Sequence, residues 1–125
     1  MNSLDKNLSN RVLKKSLSLL NNKFKLEILY HLNIRRKMRF GEIKNNIATI
    51  TQQLLTKLLR EMEKDTLITR EVSKGFPRRV DYSLTKFGKS TKPIINSIFR
   101  WELNNSTLIN KVVKKNVLDS IYDYY

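Results

Sequence analysis

The chain has 125 residues, carries 25 Lys+Arg against 11 Asp+Glu for a formal net charge of +14, and contains no cysteine. That length suits a single domain, 1–125, and the missing thiols exclude disulfides, thiolate metal sites and thiol redox chemistry. The charge calls for a polyanionic partner, nucleic acid before an anionic membrane surface. No apolar run approaches the length of a membrane span or of a signal-peptide core, so a soluble protein of the cytoplasm is expected.

The charge is uneven along the chain. Residues 35–92 hold 15 Lys+Arg against 6 Asp+Glu, whereas residues 93–125 hold 4 against 3. A polyanion-binding centre and a nearly neutral end with another task are implied.

Residues 10–21 place Val12, Leu13, Leu17 and Leu20 on one helical face, and the next segment repeats the pattern through Phe24, Ile28, Leu29 and Leu32. Both read as amphipathic helices whose apolar sides join one core. "RRKMRF", 35–40, is too charged for burial and reads as a loop or short edge strand. A short helix over 41–46 follows, with Phe40, Ile43 and Ile47 turned to the core. After a break at 48–51, Thr51 is a helix N-cap, and 52–64 is helical with Leu55, Leu59 and Met62 at i, i+4 and i+7.

"LITREVS" and "RRVDYSL" alternate as strands do, with Ile68, Arg70 and Val72 on one face of the first. Between them lies a tip with Gly75, Pro77 and the pair Arg78-Arg79. The glycine is expected to supply a turn conformation closed to most residues, and the proline to stiffen the tip. Thr85 is expected to cap one long helix, striped by Phe87, Ile94 or Ile95, Ile98 and Trp101 and bent at Pro93. "NNS" at 104–106 ends it. A last helix, about 107–122, carries Ile109, Val113, Val117 and Ile121.

The order of helix, helix, helix-turn-helix, hairpin, helix, helix is that of a winged helix-turn-helix with helical extensions at both ends, mainly α with a small β-hairpin. In such a fold the second helix of the motif enters the major groove. Turning Leu55, Leu59 and Met62 inward leaves Gln52, Gln53, Thr56, Lys57 and Arg60 outward, beside the cap Thr51. Gln suits adenine, Thr a thymine methyl, and Lys or Arg guanine or phosphate. The hairpin then reaches the flanking backbone or minor groove, where Lys74, Arg78 and Arg79 meet phosphates. Lys37 and Arg39 are further phosphate candidates.

Several motifs in register make the segment 13–101 resemble the HxlR family of bacterial and archaeal winged-helix regulators. They are Lys23-Phe24 with Ile28-Leu29, then Arg39-Phe40 with Glu42-Ile43, then "ITQQLLTKLLREMEKDTLITR", "PRRVDYSLTKFGKS" and Trp101. The resemblance implies a homodimeric DNA-binding repressor or activator built on its N- and C-terminal helices, with Val12, Leu13, Leu17, Ile94, Ile98 and Trp101 as interface candidates. A two-fold dimer would read an inverted repeat. Many members carry a sensing cysteine before the first helix; Arg11 stands there in this chain. Thr66 replaces the usual glycine before the first wing strand, and Thr91 and Lys92 replace leucines of the long helix.

No carboxylate pair, Ser-His arrangement, metal spacing or glycine-rich phosphate loop accompanies the lone His31, so neither an enzyme, a metal site nor a cofactor is expected. A small pocket near Phe24, Phe99 and Trp101 is conceivable, against the plainer reading of those aromatics as core, and no effector is specified. Three alternatives stand beside the regulator: a related PadR- or MarR-type protein, a sequence-indifferent architectural DNA- or RNA-binding protein, and an adaptor whose last helix docks another protein.

Overall fold

The computed structural model describes the backbone of residues 3–123 and the side chains of residues 6–114; the expected positions of Val117 and Ile121 lie outside the described side chains. The elements run α1 (Ser3–Leu20), α2 (Lys23–Ile34), α3 (Phe40–Asn46), α4 (Gln52–Lys64), β1 (Ile68–Val72), β2 (Val80–Leu84), α5 (Lys86–Lys89), α6 (Lys92–Asn104) and α7 (Ser106–Asp123). They form two compact units, Met1–Lys92 and Pro93–Tyr125.

The first unit holds a core of Ile28, Leu29, Leu32, Met38, Ile43, Leu55, Leu58, Leu59, Met62, Leu67 and Ile68, all almost wholly buried. β1 and β2 pair antiparallel, with Ile68 opposite Leu84 and Val72 opposite Val80. Met38 adds a one-residue bridge to Tyr82, exchanging backbone hydrogen bonds of 3.0 and 2.8 Å. The bridge agrees with the reading of 35–40 as a short edge strand, and the four cations are exposed, but Met38 is buried, which corrects the expectation that none of the segment would be. Alternation in an extended segment turns Met38 inward while Lys37 and Arg39 face out.

Local chemistry fixes the helix ends. Asn22 Oδ1 accepts the Phe24 N–H at 2.8 Å to start α2. Glu42 reaches back to the Arg39 N–H at 3.0 Å to start α3, which gives the Arg-Phe-x-Glu spacing a physical reason. Thr51 Oγ1 accepts the Leu54 N–H at 3.1 Å and starts α4. At the far end of α4, Leu67 N–H donates to Met62 O at 2.9 Å and Thr66 N–H to Glu63 O at 3.0 Å, a Schellman closure. It requires a left-handed residue, and Thr66 occupies it with φ 60°. A β-branched side chain there is strained. Thr66→Gly is therefore expected to raise the unfolding free energy by about 1 kcal/mol in a urea titration, glycine's larger unfolded-state entropy offsetting part of the relief.

A buried cation ties α2 to α4. Lys25 is 5% exposed, and its Nζ lies 3.0 Å from Glu61 Oε2. The hydrogen bond and charge of Lys25 hold the Glu61 carboxyl below its ordinary range, against the opposing pull of burial. A lowered folded-state value contributes stability above the ordinary glutamate pKa and loses it as the pH falls through the folded value. Glu61→Gln should accordingly lower the melting temperature near pH 7, and its deficit should vanish at acid pH.

Two sequence expectations about the helices need correction. α1 does not join the core: Val12, Leu13 and Leu17 are 50–58% exposed, and Leu20 is half-buried. The single long helix after Thr85 is two helices. Thr85 Oγ1 accepts the Gly88 N–H at 2.9 Å and starts the short α5, and Thr91 Oγ1 closes its end on Gly88 O at 2.6 Å. Pro93 falls in the first turn of α6, where its missing N–H costs nothing, so it bends no helix. Of the two candidate positions in the stripe, Ile95 is buried and Ile94 is half exposed. Thr91 is buried, so it belongs to no exposed helix face. No helix among the described residues is long and apolar enough to cross a membrane.

Candidate nucleic-acid interface

α4 is the most strongly two-faced helix of the first unit. Leu55, Leu58, Leu59 and Met62 are buried, while Gln52, Gln53, Lys57 and Arg60 are exposed. Its first turn carries no acidic side chain, so the positive end of the helix dipole is uncompensated there. Thr56 is half-buried, and its hydroxyl donates to Gln52 O at 2.9 Å; the oxygen stays free to accept, and the methyl to meet an apolar group.

The hairpin stands beside this helix. Ser73 N–H donates to Arg79 O at 2.7 Å and Arg79 N–H to Ser73 Oγ at 2.9 Å, closing the base of the wing loop. Lys74, Arg78 and Arg79 are all exposed, as the sequence suggested. The two arginines are not equivalent. Arg79 Nε lies 3.4 Å from the Asp81 carboxylate, whereas Arg78 has no ion pair among the described residues. Gly75 does not have the positive φ expected of it, and a Cβ there would meet open space. The peptide bond between Phe76 and Pro77 is cis.

Of the other phosphate candidates, Lys37 pairs with Glu71 at 3.6 Å, and Arg39, at the N-cap of α3, is exposed without an ion pair among the described residues. Two side chains at this surface were missed in the sequence. Arg70 of β1 joins Thr56, Arg60, Glu63 and Tyr82 around a groove of about 500 Å³ between α4 and the sheet. Its strand position beside the inward Ile68 was visible, but its pairing with Tyr82 across the hairpin was not. Phe76 at the wing tip is 100% exposed, and an apolar residue inside a turn motif gives no signal of that kind.

The interface candidates from the terminal helices are all exposed: Val12, Leu13 and Leu17 on α1, and Ile94, Ile98 and Trp101 on α6, with Trp101 at 63%. Phe99 is 42% exposed as well, so neither aromatic of α6 is plain core.

Three-helix packing, a helix-turn-helix and a two-stranded wing define the class: a winged helix-turn-helix protein. Residues 19–117 match the HxlR-like helix-turn-helix family, and the chain belongs to it. The uncharacterized HTH-type transcriptional regulator YdeP of Bacillus subtilis is 41% identical over 97 residues, 78% of this chain and 75% of that protein. An uncharacterized HTH-type transcriptional regulator of the archaeon Methanothermobacter thermautotrophicus is 49% identical over 65 residues, about half of each chain. Among solved structures, the redox regulator HypR in its reduced form superposes with a TM-score of 0.74 at 35% identity, covering 79% of this chain and 97% of that one. The protein is thus a helix-turn-helix transcriptional regulator and not an enzyme. Lacking cysteine, it has no thiol with which to sense oxidants.

Proposed function

We propose that the protein is a sequence-specific regulator that binds double-stranded DNA in the cytoplasm as a homodimer. α4 enters the major groove through Gln52, Gln53, Thr56, Lys57 and Arg60, with Thr51 at its mouth. The wing lies on the flanking backbone or in the minor groove through Lys74, Arg78 and Arg79, and Lys37 and Arg39 meet phosphates beside the helix-turn-helix. The observation that carries this reading is the polar, acid-free, exposed start of α4 in the same unit as a cationic wing whose tip side chains are exposed, the middle of α4 sharing a groove with the wing strands.

A homodimer accounts for the apolar faces of α1 and α6. A stable dimer buries about 1,200–2,000 Å² in all, and Val12, Leu13, Leu17, Ile94, Ile98 and Trp101 supply large apolar side chains for it. Two copies related by a two-fold axis present their recognition helices to half-sites of an inverted repeat about one DNA turn apart.

Salt dependence tests the wing. Each phosphate contact released by a substitution lowers the slope of log K against log salt by about one. Arg78→Ala should show that full loss on any duplex. Arg79→Ala should show less, because its guanidinium must first give up Asp81. Unchanged slopes in both variants would remove the wing from the interface.

A further inference from the structure

A second concave site of about 630 Å³ lies among the end of α2, the end of β2 and α5, within the size range of small-molecule pockets. Arg36 and Lys37 follow α2, Lys89 ends α5 and Lys92 begins α6, so four cations from distant parts of the chain converge on one cavity whose lining contains no acid. Only Lys37 has an ion pair, with Glu71; Arg36, Lys89 and Lys92 have none among the described residues. Unneutralised like charges gathered around one hollow repel each other, and an anion seated among them relieves that repulsion.

The floor is apolar. Leu32 is 3% exposed and Leu84 8% exposed, and both line the cavity. Ser83 adds a hydroxyl that shares a 2.9 Å hydrogen bond with Thr69. Ser83 and Thr69 occupy the sheet face opposite Tyr82 and Arg70, which line the groove beside α4. The pocket shares no lining residue with that groove or with the exposed start of α4.

We propose that this pocket binds a small organic phosphate. The phosphate sits among Arg36, Lys89 and Lys92, the cations left without an ion pair among the described residues, where a dianion matches several cations better than a monocarboxylate does. The organic part covers Leu32 and Leu84. A guanidinium beside ammonium groups suits this head: the first can bind two phosphate oxygens in parallel, and the others act as point charges.

Calorimetric titration of the full chain with 4-nitrophenyl phosphate, at fixed ionic strength, tests the site. The expected result is saturation at one molecule per chain, with inorganic phosphate about tenfold weaker for lack of contact with the leucines. The double variant Lys89→Gln/Lys92→Gln should bind the probe about tenfold less tightly, and its DNA affinity should change by less than about threefold. A wing variant, Lys74→Gln/Arg78→Gln, should bind the probe like the parent. The proposal is overturned if no saturable binding occurs, if inorganic phosphate binds as well as the probe, or if the wing variant loses as much as the pocket variant. It is overturned equally if the pocket variant loses DNA and probe in parallel, which would make the cluster a seat for DNA backbone.

Discussion

Gly88→Ala is expected to lower the unfolding free energy by about 3 kcal/mol or more. A Cβ at this position would stand 2.1 Å from the Leu67 carbonyl oxygen and 3.1 Å from Leu84 Cδ2. The side chain of Leu84 could shift. The carbonyl cannot, because it is held from several sides. Leu67 closes the end of α4 through its N–H, its oxygen accepts the Thr85 N–H at 3.1 Å, and the Thr85 hydroxyl pins the adjoining Thr66 O at 2.5 Å. Thr85 in turn accepts the Gly88 N–H. One ring of contacts thus joins the exit of α4, the end of β2 and α5, and alanine forces it open. Guanidinium denaturation measures the loss, and Gly75→Ala, whose Cβ meets nothing within 4 Å, is the control expected to stay within about 0.5 kcal/mol. A Gly88→Ala protein as stable as the parent would mean that the close approach to Leu67 is not kept in solution.

Lys57→Ala and Gln53→Ala are expected to act on discrimination and not on stability. Both side chains are exposed on α4, and Lys57 has no ion pair among the described residues. Each well-formed contact to a base edge is worth about 1–3 kcal/mol against the wrong base. Either change should therefore reduce the ratio of specific to random-duplex affinity by roughly ten- to a hundredfold, read by competition binding at one salt concentration. Thr56→Ala should cost less, since the Thr56 hydrogen is already given to Gln52 O and only an acceptor and a methyl remain. A ratio that stays constant in the Lys57 and Gln53 variants would place base readout elsewhere.

The contrast between these residues and the corrected ones shows what a sequence carries. α4 was legible end to end because its signals are local: Thr51 caps it, the leucines repeat at helical spacing, and 52–64 is the helix observed. The hairpin followed from alternation, and its register pairs Ile68 with Leu84 as two inward residues. The break between α5 and α6 was not legible. It depends on Thr91 Oγ1 turning back to Gly88 O, while the apolar spacing of Phe87, Ile95 and Ile98 reads through the gap as one helix. Burial of Met38 was missed for a related reason, since one inward residue among five charged or aromatic neighbours leaves no period to detect. α1 shows another limit: an apolar stripe does not say whether it faces its own core or another surface, and Val12, Leu13 and Leu17 face outward. The Arg79–Asp81 pair was within reach, because residues two apart in an extended segment share a face.

Selection of genomic fragments by the full chain at ~0.15 M salt, with sequencing of what is retained, tests whether the protein reads DNA sequence as a dimer. The expected result is recovery of an inverted repeat with half-sites about ten base pairs apart, bound by two copies of the chain and at least about a thousandfold tighter than random duplex. Uniform retention of all fragments would contradict it, and would make the basic surface a sequence-indifferent holder of nucleic acid.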